Sequence, residues 1–339
     1  MKLRGRIFLS ATGLLFLAGV AQSQPAASQW EVRSSPAIDL WYYGLASVGF
    51  SGPGTLSWYN ADFAAALRAE QRNRTHRESI LERDRVRFAS AFRGDTIFEA
   101  LHFLPLYYAG DDGSELIATL RSLSVTGNPL ARVFPVSQGR KVLERFADAL
   151  DAERPYLPQS EARAKLLDAK NVEILDARWK TEFLPVLFPY FRELGIRRGV
   201  ILISPAIGSE GRIVRNGDEA VVAVGTTSSL TPAGPLYEAV RELCFPLVNR
   251  VAGVTTASMS MPDAIDATNR AAVRCGAMLL DVPGTKMGAE YRGMYVGSVS
   301  ANGNVALNFD AQFPLSKAVE KSLREEVERV MSKTRSVRR

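Results

Sequence analysis

Two uninterrupted apolar runs, "GVILISPAIG" (199–208) and "EAVVAVG" (219–225), constrain this chain more than any other feature. Each is bounded by glycine, rich in Val and Ile, and too short to make a helix of ordinary length. Such runs read as buried strands. Between them, "GSEGRIVRNGDE" carries Asn216-Gly217, a tight-turn signal, so a hairpin is expected there. The sequence before Gly199 shows helical periodicities that do not alternate regularly with strands. That argues against a doubly wound parallel sheet and for an α+β fold, in which a small mixed or antiparallel sheet packs on helices.

The helical readings are local. Val142, Leu143, Phe146, Ala147 and Leu150 fall on one face of a helix over 137–152. Further helices are expected at 62–74 (with Asp62 as the cap), 77–92, 96–104, 114–123, 159–167 and 262–281. The stretch "TEFLPVLFPYFREL" has helical spacing but contains Pro185 and Pro189, which predicts a kinked helix or two short ones. From Ser316 a basic amphipathic helix places Val319, Leu323, Val327, Val330 and Met331 on one side. Strands are expected at 39–48, in the aromatic segment "DLWYYGLASV", and on both sides of Asn302-Gly303. Ser51–Gly54 reads as a loop, and Gln24–Arg33 reads as a linker. With 46% hydrophobic residues in 339, the chain can bury a large core.

The two ends are distinctive. "MKLRGRIFLSATGLLFLAGVAQSQ" has a basic start, an apolar run from Ile7 to Ala21 and small residues before a cleavage point after Ser23, the pattern of a secretory signal. An exported protein, periplasmic or extracellular, is therefore expected. No later run is apolar enough to span a bilayer, so no stable membrane insertion is expected after cleavage. The charge of +6 belongs to the ends. The signal holds three basic residues and no acid, and the segment from Lys317 holds eight basic and four acidic residues. The body is near neutral, which gives no argument for nucleic-acid binding.

One helix carries a motif-like frame. "PLYEAVRELCFPLVN" (235–249) contains Tyr237-Glu238-Ala239-Val240-Arg241, the H-E-x-x-H spacing with the Glu kept and both His replaced. Together with the two preceding strands and the following helix "DAIDATNRAAVRCGAMLL", residues 199–281 resemble the core of bacterial zincin-like (metallopeptidase-like) proteins. In that family two His at i and i+4 grip one zinc ion. The intervening Glu takes a proton from metal-bound water, and a second helix supplies an acidic ligand. The resemblance puts Tyr237 and Arg241 at the ligand positions, Glu238 at the general-base position, and Asp266, or else Asp263, at the acidic third position.

Arg241 cannot donate a lone pair to a cation, and Tyr237 is a weak ligand unless ionised. The two His residues, His76 and His102, lie far upstream and read as packed or surface residues. No metal and no cofactor are therefore expected. Instead, the Arg241 guanidinium is expected to pair with Glu238, Asp266 or both, where the ion would stand. An ordinary helix whose polar residues face solvent is the competing reading.

Cys244 and Cys275 are the only cysteines. In an oxidising compartment they read as a disulfide, with two small core thiols as the alternative. Cys244 shares a helix face with Tyr237 and Arg241. Cys275 lies nine residues beyond Asp266, half a turn away, so the two cannot both face the first helix squarely. No Walker loop, no G-x-G-x-x-G after a strand and no G-x-S-x-G elbow occurs. The aromatic cluster Trp41, Tyr42, Tyr43, Phe50, Trp58 and Tyr59 reads as core, or else as the lining of a ligand cleft.

The chain thus divides into a signal peptide (1–23), a linker (24–33), a mostly helical region (34–198), a zincin-like α+β core (199–315) and the C-terminal helix (316–339). The expected function is that of a pseudoenzyme, an exported protein that binds a peptide or another envelope protein. An active hydrolase using other residues, and a structural envelope protein without pocket chemistry, are the alternatives.

Overall fold

A computed structural model describes residues 29–49, 58–92, 97–108, 113–125, 127–128, 137–226, 231–256, 259–297 and 305–332. The signal peptide and the loop expected at 51–54 lie outside these residues. The fold is α+β, dominated by helices, with one four-stranded mixed sheet.

The sheet is built from β1 (Gln29–Ser34), β2 (Arg198–Ser204), β3 (Arg212–Asn216) and β4 (Glu219–Gly225), in spatial order β1-β2-β4-β3. β1 runs parallel to β2, with Trp30 opposite Gly199 and Val32 opposite Ile201. β2 runs parallel to β4, and β3 pairs antiparallel with β4 through the Asn216-Gly217 turn. The expected hairpin is therefore β3–β4, while the two long apolar runs are parallel neighbours.

The stretch read as a linker joins this sheet from Gln29 onward. Trp30 and Val32 alternate with exposed neighbours, the period of a half-buried strand. Gly199 makes room for Trp30, since a Cβ there would sit 2.6 Å from the indole ring.

Strand side chains alternate between two covered faces. On one face Trp30, Val32, Ile201, Ile203, Val222 and Val224 enter a core with α9 (Ala169–Arg178), α10 (Leu184–Leu194), α11 (Gly234–Thr256), α12 (Met261–Leu280), α13 (Met287–Val296), α14 (Val305–Gln312) and α15 (Lys317–Ser332). On the other, Leu202, Val214 and Ala223 meet α1 (Pro36–Ser47), α2 (Ala61–Thr75), α3 (Ile80–Arg83), α4 (Arg85–Phe92), α5 (Ile97–Phe103), α6 (Ser114–Arg121), α7 (Ser137–Glu153) and α8 (Glu161–Leu166). Cover on both faces is why β2 and β4 are apolar at consecutive positions.

Three expected features are corrected. The aromatic segment 39–48 is helix, not strand. Ser35 caps it, accepting from Ile38 N at 3.4 Å, and Pro36 opens its first turn. Ile38, Leu40, Trp41, Tyr42, Tyr43 and Leu45 are buried around the whole circumference, and that packing outweighs the strand preference of aromatic residues. Among the described residues no strand flanks Asn302-Gly303. Residues 287–296 and 305–312 are helical, with Met287, Tyr291 and Met294 buried at helical spacing, and 298–304 lie outside the described residues. The helix expected at 77–92 is broken at Asp84 into α3 and α4.

The other helices fall within a few residues of expectation, although Asn60, not Asp62, caps α2. Where prolines predicted a kink, α9 passes through a π-helical turn, Trp179–Phe183, into α10, which has Pro185 in its first turn. The wider turn accommodates the missing N–H.

Candidate functional site

At the carboxyl ends of β2 and β4 the chain turns through residues 205–211 before entering β3. α11 packs beneath this turn and presents Tyr237, Glu238, Arg241 and Glu242, all buried. Gly211 is the point of closest approach. A Cβ there would lie 2.7 Å from the Glu242 Cγ, so only glycine lets this acid reach the turn.

Arg241 is 3% exposed. Its Nε donates to Glu242 Oε1 at 3.0 Å, its Nη2 donates to the same oxygen, and its Nη1 donates to the carbonyl of Ser209 at 3.3 Å. Burial opposes the charge, yet Glu242, with Tyr295, Glu210 and Glu238 around it, holds the guanidinium well above its ordinary pKa. Burial pushes the Glu210 carboxyl up, and Arg241 opposes that rise. Glu210 Oε1 accepts from Asn269 Nδ2 of α12 at 3.0 Å. One arginine thus sits inside a cage of carboxylates at the junction of sheet, turn and helix.

The sequence-derived candidates divide. Tyr237, Glu238 and Arg241 are interior, not solvent-facing. The partner of Arg241 is Glu242 where Glu238 or Asp266 was expected. Neighbouring helix residues point apart, so sequence spacing gives no hint of this pair. Both side chains converge because each reaches back to the 209–211 turn. Tyr237 is turned elsewhere, donating to Glu290 Oε2 at 2.7 Å and packing against Phe183 and Tyr291.

Asp266 does not join the site. It is exposed and pairs with Arg270 one turn along α12. Asp263, also exposed, lies in the first turn of the same helix, where its backbone N–H donates to the hydroxyl of the capping Ser260 at 3.4 Å. The face of α12 that meets α11 belongs to Cys275, which resolves the half-turn conflict in its favour. Cys244 and Cys275 are both buried free thiols, close together but not at bonding distance. Burial and the contact with Cys275 raise the Cys244 thiol well above its ordinary pKa.

Arg212, Glu210, Glu242, Tyr295, Asn269 and Glu290 were not singled out from the sequence. The sole signal for the first two is their place beside a glycine in "GSEGRIV". Arg212, the first residue of β3, is 3% exposed and lies on the opposite side of the turn from Arg241. Its Nη1 donates to the carbonyls of Glu210 and Gly211. Two buried guanidiniums therefore grip successive carbonyls of one turn from its two faces.

Around Arg212 stand Trp58, Tyr59, Tyr42 and His102. They are held in place because residues 58–60 hydrogen-bond to 206–208. The Tyr59 hydroxyl bonds His102 Nδ1, and Tyr42 donates to the His102 carbonyl at 2.8 Å. Burial, helped by the Arg212 charge, pushes His102 down to about 2. His102 is a packed residue, and His76 is exposed in the left-handed cap of α2. Trp41, Tyr42, Tyr43 and Tyr59 are core.

Among the described residues no group of three or more His, Cys, Asp or Glu is arranged to hold a metal ion, and no helix is long and apolar enough to cross a membrane. A cleft of about 820 Å³ runs along β1, lined by all six of its residues together with Tyr108, Asp176, Val200 and Val221, but by none of the α11 candidates. No family model matches the chain, and no curated protein or solved structure shows significant similarity to it.

Proposed function

We propose that this is an exported, zincin-like protein without a metal, in which the Arg241 guanidinium occupies the place of the ion, and that it acts by binding and not by catalysis. The observation that carries this reading is the buried Arg241, paired to Glu242 with Glu210 and Glu238 close by. A fixed cation among carboxylates neutralises them as a metal would, but offers no open coordination position and activates no water. Tyr237, committed to Glu290, contributes no ligand to that position.

The surface proposed for binding is the cleft along β1, which among the described residues is the edge strand of the sheet and is flanked by α9. An extended peptide from an envelope protein fits such an edge, taking main-chain hydrogen bonds from the strand and side-chain selectivity from the cleft walls. One outward amide is already occupied, since Val32 N donates to Asp176 Oδ1 at 2.8 Å. A peptide would therefore engage β1 on either side of that point.

Elemental analysis of the purified mature protein tests the first part. Zinc well below stoichiometric is expected, and near-stoichiometric zinc, or peptidase activity abolished by a chelator, refutes it. Selection from a random-peptide library tests the second. Selected peptides should lose binding to Val200→Lys, and equal binding to that variant moves the site away from the cleft. Export is tested by amino-terminal sequencing of periplasmic or secreted protein, which should begin near Gln24.

A further inference from the structure

The helices α12, α13, α14 and α15 meet around a pocket of about 310 Å³ that shares no residue with the cleft along β1 or with the α11 candidates. Three guanidiniums face it, those of Arg274, Arg292 and Arg324, from three different helices. Each is matched by a carboxylate. Arg274 is 6% exposed, with Nη1 2.7 Å from Asp310 Oδ1 and Nη2 donating to Glu320 Oε1 at 2.7 Å. Arg292 donates to both oxygens of Asp281, from Nη1 to Oδ1 at 2.9 Å and from Nη2 to Oδ2. Gly288 permits that arrangement, because a Cβ there would collide with the Asp281 carboxylate.

The pairing is uneven. Arg274 and Arg292 spend both Nη groups on carboxylates. Arg324 meets a single oxygen among the described residues, Glu320 Oε1, at 3.3 Å from Nη2. Its Nε and Nη1 remain for another acceptor. Asp310 meets Arg274 through Oδ1, and its Oδ2 accepts no hydrogen bond among the described residues. The side chains of Arg324 and Asp310 are 57% and 58% exposed, so the pocket opens to solvent between them. An uncommitted donor edge and an uncommitted carboxylate oxygen therefore stand at one mouth.

We propose that this pocket binds a free α-amino acid, its carboxylate on Arg324 and its ammonium on Asp310. Charge selects a zwitterion. The three guanidiniums stand against the three carboxylates of Asp281, Asp310 and Glu320. A polyanion or polycation meets no net field there, whereas a ligand with one charge of each sign finds an open partner for both. Volume selects size. At ~30 Å³ per water-sized group, the pocket holds roughly ten non-hydrogen atoms, which suits one amino acid and not a peptide. Ala277, Met278 and Phe309 supply the apolar wall for its side chain. Arg274 is a positioning residue that holds Asp310 in place. The proposal does not rest on the reading of Arg241 or of the cleft along β1.

The test is thermal unfolding of the purified mature protein against each common amino acid, followed by calorimetry with the one that raises Tm most. A saturable rise is expected with at least one of them. Analogues of that amino acid lacking the amine or the carboxylate should give none; for alanine these are propionate and ethylamine. Arg324→Gln and Asp310→Asn should each weaken the affinity about tenfold or more, since each removes a charge-assisted contact. Both side chains are more than half exposed, so neither substitution disturbs the core. Val200→Lys, in the cleft along β1, should bind the amino acid as the wild type does. No effect of any amino acid, an equal effect of a singly charged analogue, an unchanged affinity in Arg324→Gln or Asp310→Asn, or a loss of affinity in Val200→Lys overturns the proposal.

Discussion

Replacing Glu153 with Gln should stabilise this protein at neutral and alkaline pH and leave it almost unchanged in acid. Glu153 is the last residue of α7 and is 3% exposed in the helical core around α1 to α8. Its Oε1 has no hydrogen-bond partner among the described residues. Burial raises its pKa from 4.5 to about 7, with Ser79 and Gln71 opposing the rise and Glu82 adding to it.

A carboxyl whose folded value exceeds its unfolded one holds its proton more tightly in the native state. The stabilisation is complete below pH 4.5 and is lost as pH rises through 7. A rise from 4.5 to about 7 corresponds to roughly 3 kcal/mol between those limits. Gln fills the same volume and never ionises, so Glu153→Gln should recover most of that amount at pH 8.

Urea unfolding at half-unit steps from pH 4.5 to 8 measures it. Asp39, also buried and raised from 3.8 to about 6, contributes to the slope of both proteins, so the difference between the two curves isolates Glu153. Parallel wild-type and variant curves across that range would show that Glu153 is already ionised in the folded protein and would refute the reasoning.

Further outcomes concern the interior charges. Arg241→Met leaves Glu242, Glu210 and Glu238 facing one another and should cost roughly 3–5 kcal/mol in chemical denaturation. Arg241→Met with Glu242→Leu should regain most of that loss, and failure to regain it would mean that the pair is not an energetic unit. Gly211→Ala drives a Cβ against Glu242 and, at 2.8 Å, against the carbonyl of Ala223, so a loss of about 1–3 kcal/mol is expected by thermal unfolding. For the thiols, titration of denatured, unreduced protein recovered from the periplasm should find none free, because adjacent buried cysteines join readily once oxidised. Two titratable thiols would leave Cys244 and Cys275 as packing residues.

Periodicity made much of the architecture legible. α7, α12 and α15 were readable because their apolar residues repeat at helical spacing. β2 and β4 were readable because an apolar run between glycines has few other uses. The failures have a common origin. In α1 the local preference favoured a strand and burial on all sides made a helix, and in α13 Met287, Tyr291 and Met294 pack at helical spacing. β1 looked like a linker because it is short and carries charged residues on alternate positions. Its partner strand begins only at Arg198, beyond a long helical region, and no local signal announces so distant a pairing.

The candidate site follows the same division. The Glu of α11 and the arginine one turn later were visible, and so was the argument that Arg241 excludes the usual zinc chemistry. The choice of Glu242 as its partner was not, because adjacent helix residues meet only when a third element draws both to one place. Asp266 was attractive in sequence for its position on the second helix. The rotation of α12 about its axis decided against it and turned Cys275 inward, and that rotation depends on the summed packing of one whole helix face.

By itself, then, the sequence determined which segments are apolar enough to be buried, where chains must turn, and which side chains cannot bind a metal. These are properties of a residue and its near neighbours. Tertiary structure decided which strands are neighbours, which face of each helix looks inward, and which charges meet. It brought Arg241 and Arg212 to a single turn, one paired with the Glu242 carboxylate and one stacked on Trp58. Those outcomes depend on groups far apart in the chain competing for the same space, and only the folded arrangement settles that competition.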